Sequence, residues 1–340
     1  MLLIDSLYIN NSGGLGLLNY LIDEIEKADI AAVYLIDIRN PSEYKGIISN
    51  RKILLQPSMS NRRKFYKTLD SKFTKVLCFG NIPPPINLDS KIWSFTYVHQ
   101  YFYLDSSALN SGLIEGLKFK LKQKIFKHFV NNTDQFWVQT NHMKSGLRRK
   151  YNISEEKIFE YPFFELSAKA TRKSKNSNMF CYISKGFPHK NHNFLIKAWE
   201  VLSKDLPDLE LHLTVDKIEH PELFEQILIL NNMGVKIINH GSLKKTEVIQ
   251  LLSESKFSLF PSLAESFGLG LIESYTQGCI VICADLPYAH SVLKTEYLFD
   301  PFRVDSLTEA IKKAYFDKRP QLGSPLLENK IDEIMKLLNN

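Results

Sequence analysis

Short apolar runs recur along the chain, each followed by a polar or glycine-bearing turn and then by a segment with apolar positions at helical spacing. In the first half the runs read as strands at Met1–Ile9, Ala31–Ile36, Val76–Phe79, Lys91–Val98 and Gln135–Gln139. In the second they fall at Met179–Ile183, Leu209–Val215, Val235–Ile238, Phe257–Phe260 and Ile280–Cys283. Helices are expected at Leu17–Ala28, Gly112–Val130, Asn141–Tyr151, Asn193–Ser203 and Lys245–Ser253, in the stretch ending at Gly278, and at Asp332–Leu338. Strands alternating with helices of this length predict parallel, doubly wound sheets. Glu165–Asn178 (ELSAKATRKSKNSN) is charged and poor in bulky apolar residues, so it reads as a linker. The expected division is a Rossmann-like domain at 1–166, a linker at 167–178, a second Rossmann-like domain at 179–325, and a final segment at 326–340 carrying the last helix.

Size and composition fit that division. A chain of 340 residues exceeds the size at which one core usually stops growing. With 44% hydrophobic and 24% charged residues it has ordinary globular composition. A net charge of +6 favours anionic ligands or a lipid surface and is too weak to argue for nucleic acid. Cys78, Cys181, Cys279 and Cys283 show no metal-binding or CxxC spacing and read as buried free thiols of a reducing compartment. No basic leader precedes an apolar stretch at Met1, and no run approaches the ~18 apolar residues of a membrane span. A cytoplasmic protein is therefore expected.

The most informative stretch is Phe257–Ala284. An apolar strand leads into Pro261-Ser262, then Glu265, then Ser266-Phe267-Gly268-Leu269-Gly270, then a helix carrying Glu273 and ending at Gly278. Backbone amides brought to a helix N-terminus favour phosphate, carboxylate or hydroxyl oxygens. Upstream, Ser184-Lys185-Gly186-Phe187-Pro188-His189-Lys190 joins a strand to a helix with two lysines five positions apart. Two nearby cations suit a departing diphosphate, whose developing charge they would neutralise. Taken singly, each feature also has a bland reading: glycines that ease packing, and solvated loop charges.

Together these motifs resemble the nucleotide-sugar site of family-four glycosyltransferases, retaining enzymes of the GT-B fold with two Rossmann-like domains facing a cleft. The resemblance covers most of the C-terminal half. It implies that Glu273 binds the donor ribose, that Glu265 with Ser266, Phe267, Gly268, Leu269 and Gly270 holds the sugar hydroxyls, and that Lys185 and Lys190 stabilise the leaving diphosphate. The family commonly has arginine where Lys185 stands, so the bidentate fork is missing there. It also usually has proline where this chain has Ile280, which should alter a turn without removing chemistry. No Asp-x-Asp pair occurs, and the paired lysines supply charge that a divalent ion would otherwise provide. No metal and no cofactor are expected.

The first half adds weaker signals. Gly13, Gly14 and Gly16 form a glycine-rich turn after the first strand, which the resemblance places across the cleft from the donor diphosphate. The same turn, with Gly14-x-Gly16 and Asp37 ending the next strand, approaches a dinucleotide fingerprint, although Asn19 replaces the third glycine. His99 stands at the C-terminal edge of a strand, where ligands bind in open α/β sheets. Arg62-Arg63-Lys64 reads as a solvated charge cluster. In the helix over 112–130, Lys120, Lys124 and Lys127 cluster opposite an expected buried face of Leu113, Leu117, Leu121, Ile125 and Phe129. The strip from Lys118 to Lys127 is either a solvated face or a contact with anionic lipid.

The expected function is transfer of a hexose, with retention, from a nucleoside-diphosphate sugar to a glycan or lipid-linked acceptor, in bacterial surface polysaccharide synthesis (O-antigen, capsule or lipopolysaccharide) at the inner face of the plasma membrane. One alternative is a nicotinamide-dependent oxidoreductase, which leaves both lysines and both glutamates unexplained. Another is a catalytically inactive nucleotide-sugar-binding protein of the same fold.

Overall fold

The computed structural model describes residues 1–10, 12–39, 47, 49–107, 113–165 and 175–339. They form two compact units. One comprises the described residues of Met1–Ser106, Leu113–Glu165 and Glu328–Asn340, and the other Ser107 with the described residues of Leu166–Leu327.

The first unit is a seven-stranded parallel sheet. Its strands are β1 (Leu2–Asp5), β2 (Ala32–Asp37), β3 (Lys52–Leu55), β4 (Lys75–Cys78), β5 (Trp93–Val98), β6 (Gln135–Val138) and β7 (Ile158–Glu160), in the order β3-β2-β1-β4-β5-β6-β7. The chain order reverses between β1 and β4, which makes their carboxyl ends a topological switch point. Helix α1 (Ser12–Lys27) and the C-terminal helix share one core. Leu18, Leu21 and Ile25 pack there with Ile4, Tyr34, Leu77 and Phe95, and with Ile331, Ile334 and Leu338. Complete burial of one such leucine or isoleucine contributes ~1.5–3 kcal/mol. On another core α2 (Met59–Tyr66) places Tyr66 against Leu3, Leu35 and Val76. Val98, Phe126, Phe136, Met143, Leu147 and Tyr151 join α3 (Leu113–Phe129) and α4 (Asn141–Tyr151) to the β5–β7 side.

One reading of charge in this unit is overturned. Arg62, read as part of a solvated cluster, is 1% exposed. Its Nε donates to Asp5 at 2.7 Å, and its Nη atoms donate to the carbonyls of Ile82 and Pro83. Tyr66 adds a hydroxyl donated to the same carboxylate at 2.7 Å. Charge runs are solvated only when the fold offers no buried acceptor, and the β1/β4 junction offers several. Gly80 belongs to that junction, since a Cβ there would lie 2.1 Å from the Leu7 carbonyl oxygen.

The buried face of α3 is also different from the one the leucine spacing suggests. Leu117 and Leu121 are 69% and 58% exposed. Phe119 instead meets Phe102, Gln123 donates to the Phe102 carbonyl, and Phe126 sits among Tyr103, Phe136 and Tyr151. A strict spacing of four residues drifts by roughly 40° per step around a helix of ~100° per residue. The Leu113–Phe129 series therefore smears around the cylinder, whereas Phe119, Gln123 and Phe126 share one stripe.

The second unit is a six-stranded parallel sheet of β8 (Asn176–Tyr182), β9 (Glu210–Leu213), β10 (Ile237–Asn239), β11 (Ser255–Phe260), β12 (Ile280–Ala284) and β14 (Tyr297–Phe299), ordered β10-β9-β8-β11-β12-β14. A small antiparallel pair joins β13 (Leu293–Lys294) to β15 (Ser324–Pro325). The helices are α5 (His192–Ser203), α6 (Pro221–Asn232), α7 (Lys245–Glu254), α8 (Leu269–Thr276), α9 (Pro287–Val292) and α10 (Val304–Phe316), and α11 (Ile331–Asn339) returns to the first unit. Asn176–Asn178 belongs to β8 and not to a linker: Asn176 pairs with Ser255, and the exposed strand start tolerates polar side chains. Residues 167–174 of the expected linker lie outside the described residues. All four cysteines are buried and free.

Candidate active site

In the second unit the chain order reverses between β8 and β11, so their carboxyl ends frame the crevice where an open α/β sheet binds ligands. Two loops meet there. After β8, Pro188–Lys190 forms a short 3-10 turn, and Asn191 turns the chain into α5 with a left-handed φ of 61°. After β11 comes the loop of Glu265. The loops are stitched by the Leu263 amide donating to the His189 carbonyl at 2.8 Å. Tyr182 donates to the Lys190 carbonyl or shares its hydroxyl with Ser262, each at 2.9 Å. Burial, together with the Glu265 charge, pushes the Tyr182 phenol well up, so it stays a neutral strut.

On this frame the Lys190 ammonium meets the Glu265 carboxylate at 2.5 Å, with side chains 20% and 13% exposed. Lys185 does not join them. It turns to Glu219, with contacts of 3.0 and 3.1 Å, in a largely exposed pair worth about 0–1 kcal/mol. The expected pair of lysines is thus two separate ion pairs, each holding its cation with a carboxylate.

The glycines of the loop have packing reasons. Gly268 caps α8 with φ 77°, a left-handed conformation that strains other residues. A Cβ on Gly270 would lie 2.8 Å from the Phe260 ring, so that glycine lets α8 close onto β11. Phe267 is buried, Ser266 and Leu269 are half-buried, and Glu273 lies half-buried in the second turn of α8.

The first-unit residues stand in different surroundings from those expected. Gly13, Gly14 and Gly16 lie within α1, which begins at Ser12, and not in a loop before a helix at Leu17. The three glycines therefore open a helix and do not form a separate phosphate-cradling loop. A methyl group at Gly13 or Gly16 would meet nothing within 4 Å, so close packing does not require either glycine. Asp37 is engaged by Arg39 through both carboxylate oxygens, at 2.9 and 2.6 Å, which occupies the acid that a dinucleotide ribose would need. His99 is a held, neutral group. Its Nε2 lies 3.0 Å from the Phe79 carbonyl oxygen and its backbone N–H donates to Asn81 at 2.7 Å. Its ring lies against Phe79 and Tyr97. Burial lowers its pKa to about 4.

One feature has no counterpart in the sequence motifs. Between Gly186–Pro188, the start of α5 and the start of α6 lies a pocket of about 620 Å³, bordered also by Leu263. His192, the first residue of α5, lines it at 3% exposure, and neither ring nitrogen has a hydrogen-bond partner in the protein. The buried Nε2 of His220 is likewise unpartnered. An unsatisfied buried polar group costs about 1–3 kcal/mol. Burial, reinforced by the Lys190 charge, lowers the His192 pKa to about 3, so the ring is neutral. A lone histidine beside Asn191 or Glu219 carries no spacing signal that could have announced this.

Known proteins give the same frame. Solved structures similar across the whole chain include the sucrose-phosphate synthase of Thermosynechococcus elongatus, with a TM-score of 0.70, 16% identity, and 100% of this chain and 94% of that one covered. WaaG, a glycosyltransferase involved in lipopolysaccharide biosynthesis, is similar with a TM-score of 0.65 and 15% identity over 93% of this chain and 91% of that one. The fold is that of the GT-B glycosyltransferases. Residues 163–329 match the model of the glycosyl transferases group 1 family. In sequence it is 25% identical over 171 residues to the O-antigen chain mannosyltransferase RfbU of Salmonella typhimurium strain LT2, covering 50% of this chain. The match spans 48% of that relative's length.

Proposed function

We propose that the chain transfers a hexose from a nucleoside-diphosphate sugar to a glycan or lipid-linked acceptor, with retention of anomeric configuration. The carrying observation is the Lys190–Glu265 pair at the β8/β11 switch point, inside the segment that matches the group 1 family. In this reading the diphosphate draws Lys190 from Glu265 and Lys185 from Glu219. The freed Glu265 then accepts from the sugar hydroxyls, the amides of Phe267–Gly270 donate to them, and Glu273 accepts from the ribose, since one carboxylate can take two donors. The cations stabilise charge that develops as the glycosidic bond breaks, a term that raises turnover rather than ground-state affinity. Two lysines in these roles make a metal unnecessary. In the first unit, His99 serves as a neutral hydrogen-bonding group toward the acceptor.

Similarity to an O-antigen mannosyltransferase supports a role in bacterial surface polysaccharide, which this reading places in the cytoplasm, at the inner face of the membrane. Among the described residues no helix is long and apolar enough to cross a membrane. Contact with lipid would run instead through α3, where Leu117 and Leu121 stand exposed beside Lys118, Lys120, Lys122, Lys124 and Lys127. Apolar side chains entering the headgroup layer and lysines meeting anionic phosphates are the chemistry of a surface-lying helix.

The reading is tested by thermal shift with UDP-, GDP- and dTDP-sugars beside NADH, followed by transfer assay with the stabilising donor. One nucleotide-sugar class should stabilise the protein. Stabilisation by NADH alone would restore the oxidoreductase.

A further inference from the structure

A groove between α2 and α3 in the first unit has no part in the donor reading. Its volume is about 570 Å³, within the ~300–1,000 Å³ usual for small-molecule sites. Side chains one helical turn apart build it from both sides. Met59 and Arg63 supply the α2 wall, while Lys124 with His128 and Ile125 with Phe129 supply the α3 wall. The wall residues are themselves braced. The Tyr8 hydroxyl lies 3.2 Å from the Met59 sulfur, and the Phe129 ring meets the His128 ring edge-on at 4.6 Å.

The lining divides into two chemistries. Arg63, Lys124 and His128 are exposed and bring a guanidinium, an ammonium and an imidazole to the groove. Met59, Ile125 and Phe129 are half-buried and line it with apolar surface. No aspartate or glutamate lines it. Among the described residues neither Arg63 nor Lys124 has an ion-pair partner, whereas the adjacent Arg62 is held by Asp5. Unpaired cations select an anion, and the apolar side chains beside them select one that carries a hydrocarbon chain. A phosphate monoester has a charge of about −1.5 to −2 at pH 7 and three acceptor oxygens, one for each of the three basic side chains. A phosphate diester has one charge and two free oxygens, so it leaves one basic group without a partner.

We propose that this groove is a site for one lipid phosphate monoester, with the phosphate on Arg63, Lys124 and His128 and the first carbons of the chain on Met59, Ile125 and Phe129. The proposal deepens the reading of α3 as a lipid-facing helix and rests on it for the membrane as the lipid's source. It adds what a strip of lysines cannot give. Diffuse attraction follows surface charge alone, whereas a groove with three fixed basic groups distinguishes headgroups of equal charge.

The test is co-sedimentation of the full chain with phosphatidylcholine vesicles carrying either phosphatidic acid, a monoester, or phosphatidylglycerol, a diester, at matched surface charge. Wild type should bind the phosphatidic acid vesicles about tenfold more tightly, the effect of one further charge-assisted hydrogen bond. Arg63→Gln combined with His128→Gln should bring the two vesicles to near parity; both side chains are exposed, so the variant should fold. Lys120→Glu combined with Lys127→Glu, outside the groove, should weaken binding to both vesicles alike. Hexyl phosphate should compete with the phosphatidic acid vesicles at concentrations where inorganic phosphate does not. A preference that survives in the Arg63/His128 variant, or inorganic phosphate competing as well as hexyl phosphate, overturns the proposal. Equal binding of wild type to the two vesicles overturns the groove and leaves the lipid contact of α3 standing, whereas binding to neither overturns both. The transferase reading is judged apart from these outcomes, by the nucleotide-sugar thermal shift, in which no lipid takes part.

Discussion

The ammonium of Lys190 and the carboxylate of Glu265 lie 2.5 Å apart, although 75 residues separate them in the chain. Each carries the charge that the other's proposed ligand would replace: diphosphate oxygens for Glu265, sugar hydroxyls for Lys190. The pairing keeps both half-buried charges compensated until a ligand arrives, where an uncompensated charge would be costly. It also makes the donor's two halves interdependent, because moving Lys190 to phosphate frees Glu265 for sugar.

Glu273→Gln should raise the donor Michaelis constant more than it lowers turnover. Ribose contacts are the same in the ground and transition states, so their loss is uniform binding loss. Steady-state kinetics with the identified donor checks this, and a turnover loss with unchanged Michaelis constant would move Glu273 out of the ribose role.

Arg62→Met should leave Asp5 buried without its cation and destabilise the first unit by about 3–5 kcal/mol. Urea denaturation followed by tryptophan fluorescence reads this, since Trp137 lies in that unit's core. A loss under about 1 kcal/mol, the size of a surface pair, would return Arg62 to the solvated cluster.

Acid should destabilise the second unit through His192. Its folded pKa is depressed to about 3 from 6.5, so the group contributes stability that is complete above pH 6.5 and is lost as pH falls below that value toward 3. His192→Phe removes the group and should flatten the stability–pH slope between about pH 6 and 4 by ~1.4 kcal/mol per pH unit. Equal slopes in the two proteins would show that the ring is solvated and free to charge.

A triple Lys120→Glu, Lys124→Glu, Lys127→Glu variant should lose binding to anionic vesicles. Each lysine near such a surface contributes roughly 1 kcal/mol, and the attraction should fade with salt. Co-sedimentation at low and high salt measures it. Equal binding by both proteins would leave α3 as a solvated face.

Much of this was legible from local pattern. The parallel strands followed from apolar runs buried on both faces, and Phe257–Ala284 showed its strand, turn and helix directly. What stayed hidden depends on partners distant in sequence. Nothing in Arg62-Arg63-Lys64 names Asp5 as the acceptor that buries the first arginine. The leucines of α3 follow an approximately helical spacing yet lose the core to Phe119 and Phe126, because the neighbouring Phe102 and Tyr103 fit aromatic rings. Short edge strands at Lys52–Leu55 and Tyr297–Phe299 and the helices at Pro221–Asn232 and Val304–Phe316 were not singled out. Lys185 matched a family position by spacing, but spacing does not reveal that Glu219 lies within 3.0 Å. The orphaned nitrogens of His192 and His220 exist only through burial, which no spacing encodes.

The central claim is that Lys190 stabilises a departing nucleoside diphosphate. The most direct measurement is the turnover of wild type and Lys190→Ala with the identified nucleotide-sugar donor, each with and without a metal chelator. Turnover of the variant should fall by about 10²–10³, the usual loss when one preorganised charge stabiliser is removed, with a cooperative melting curve showing that the variant is folded and wild-type turnover indifferent to chelation. Undiminished turnover in Lys190→Ala, or wild-type turnover abolished by the chelator, would contradict it.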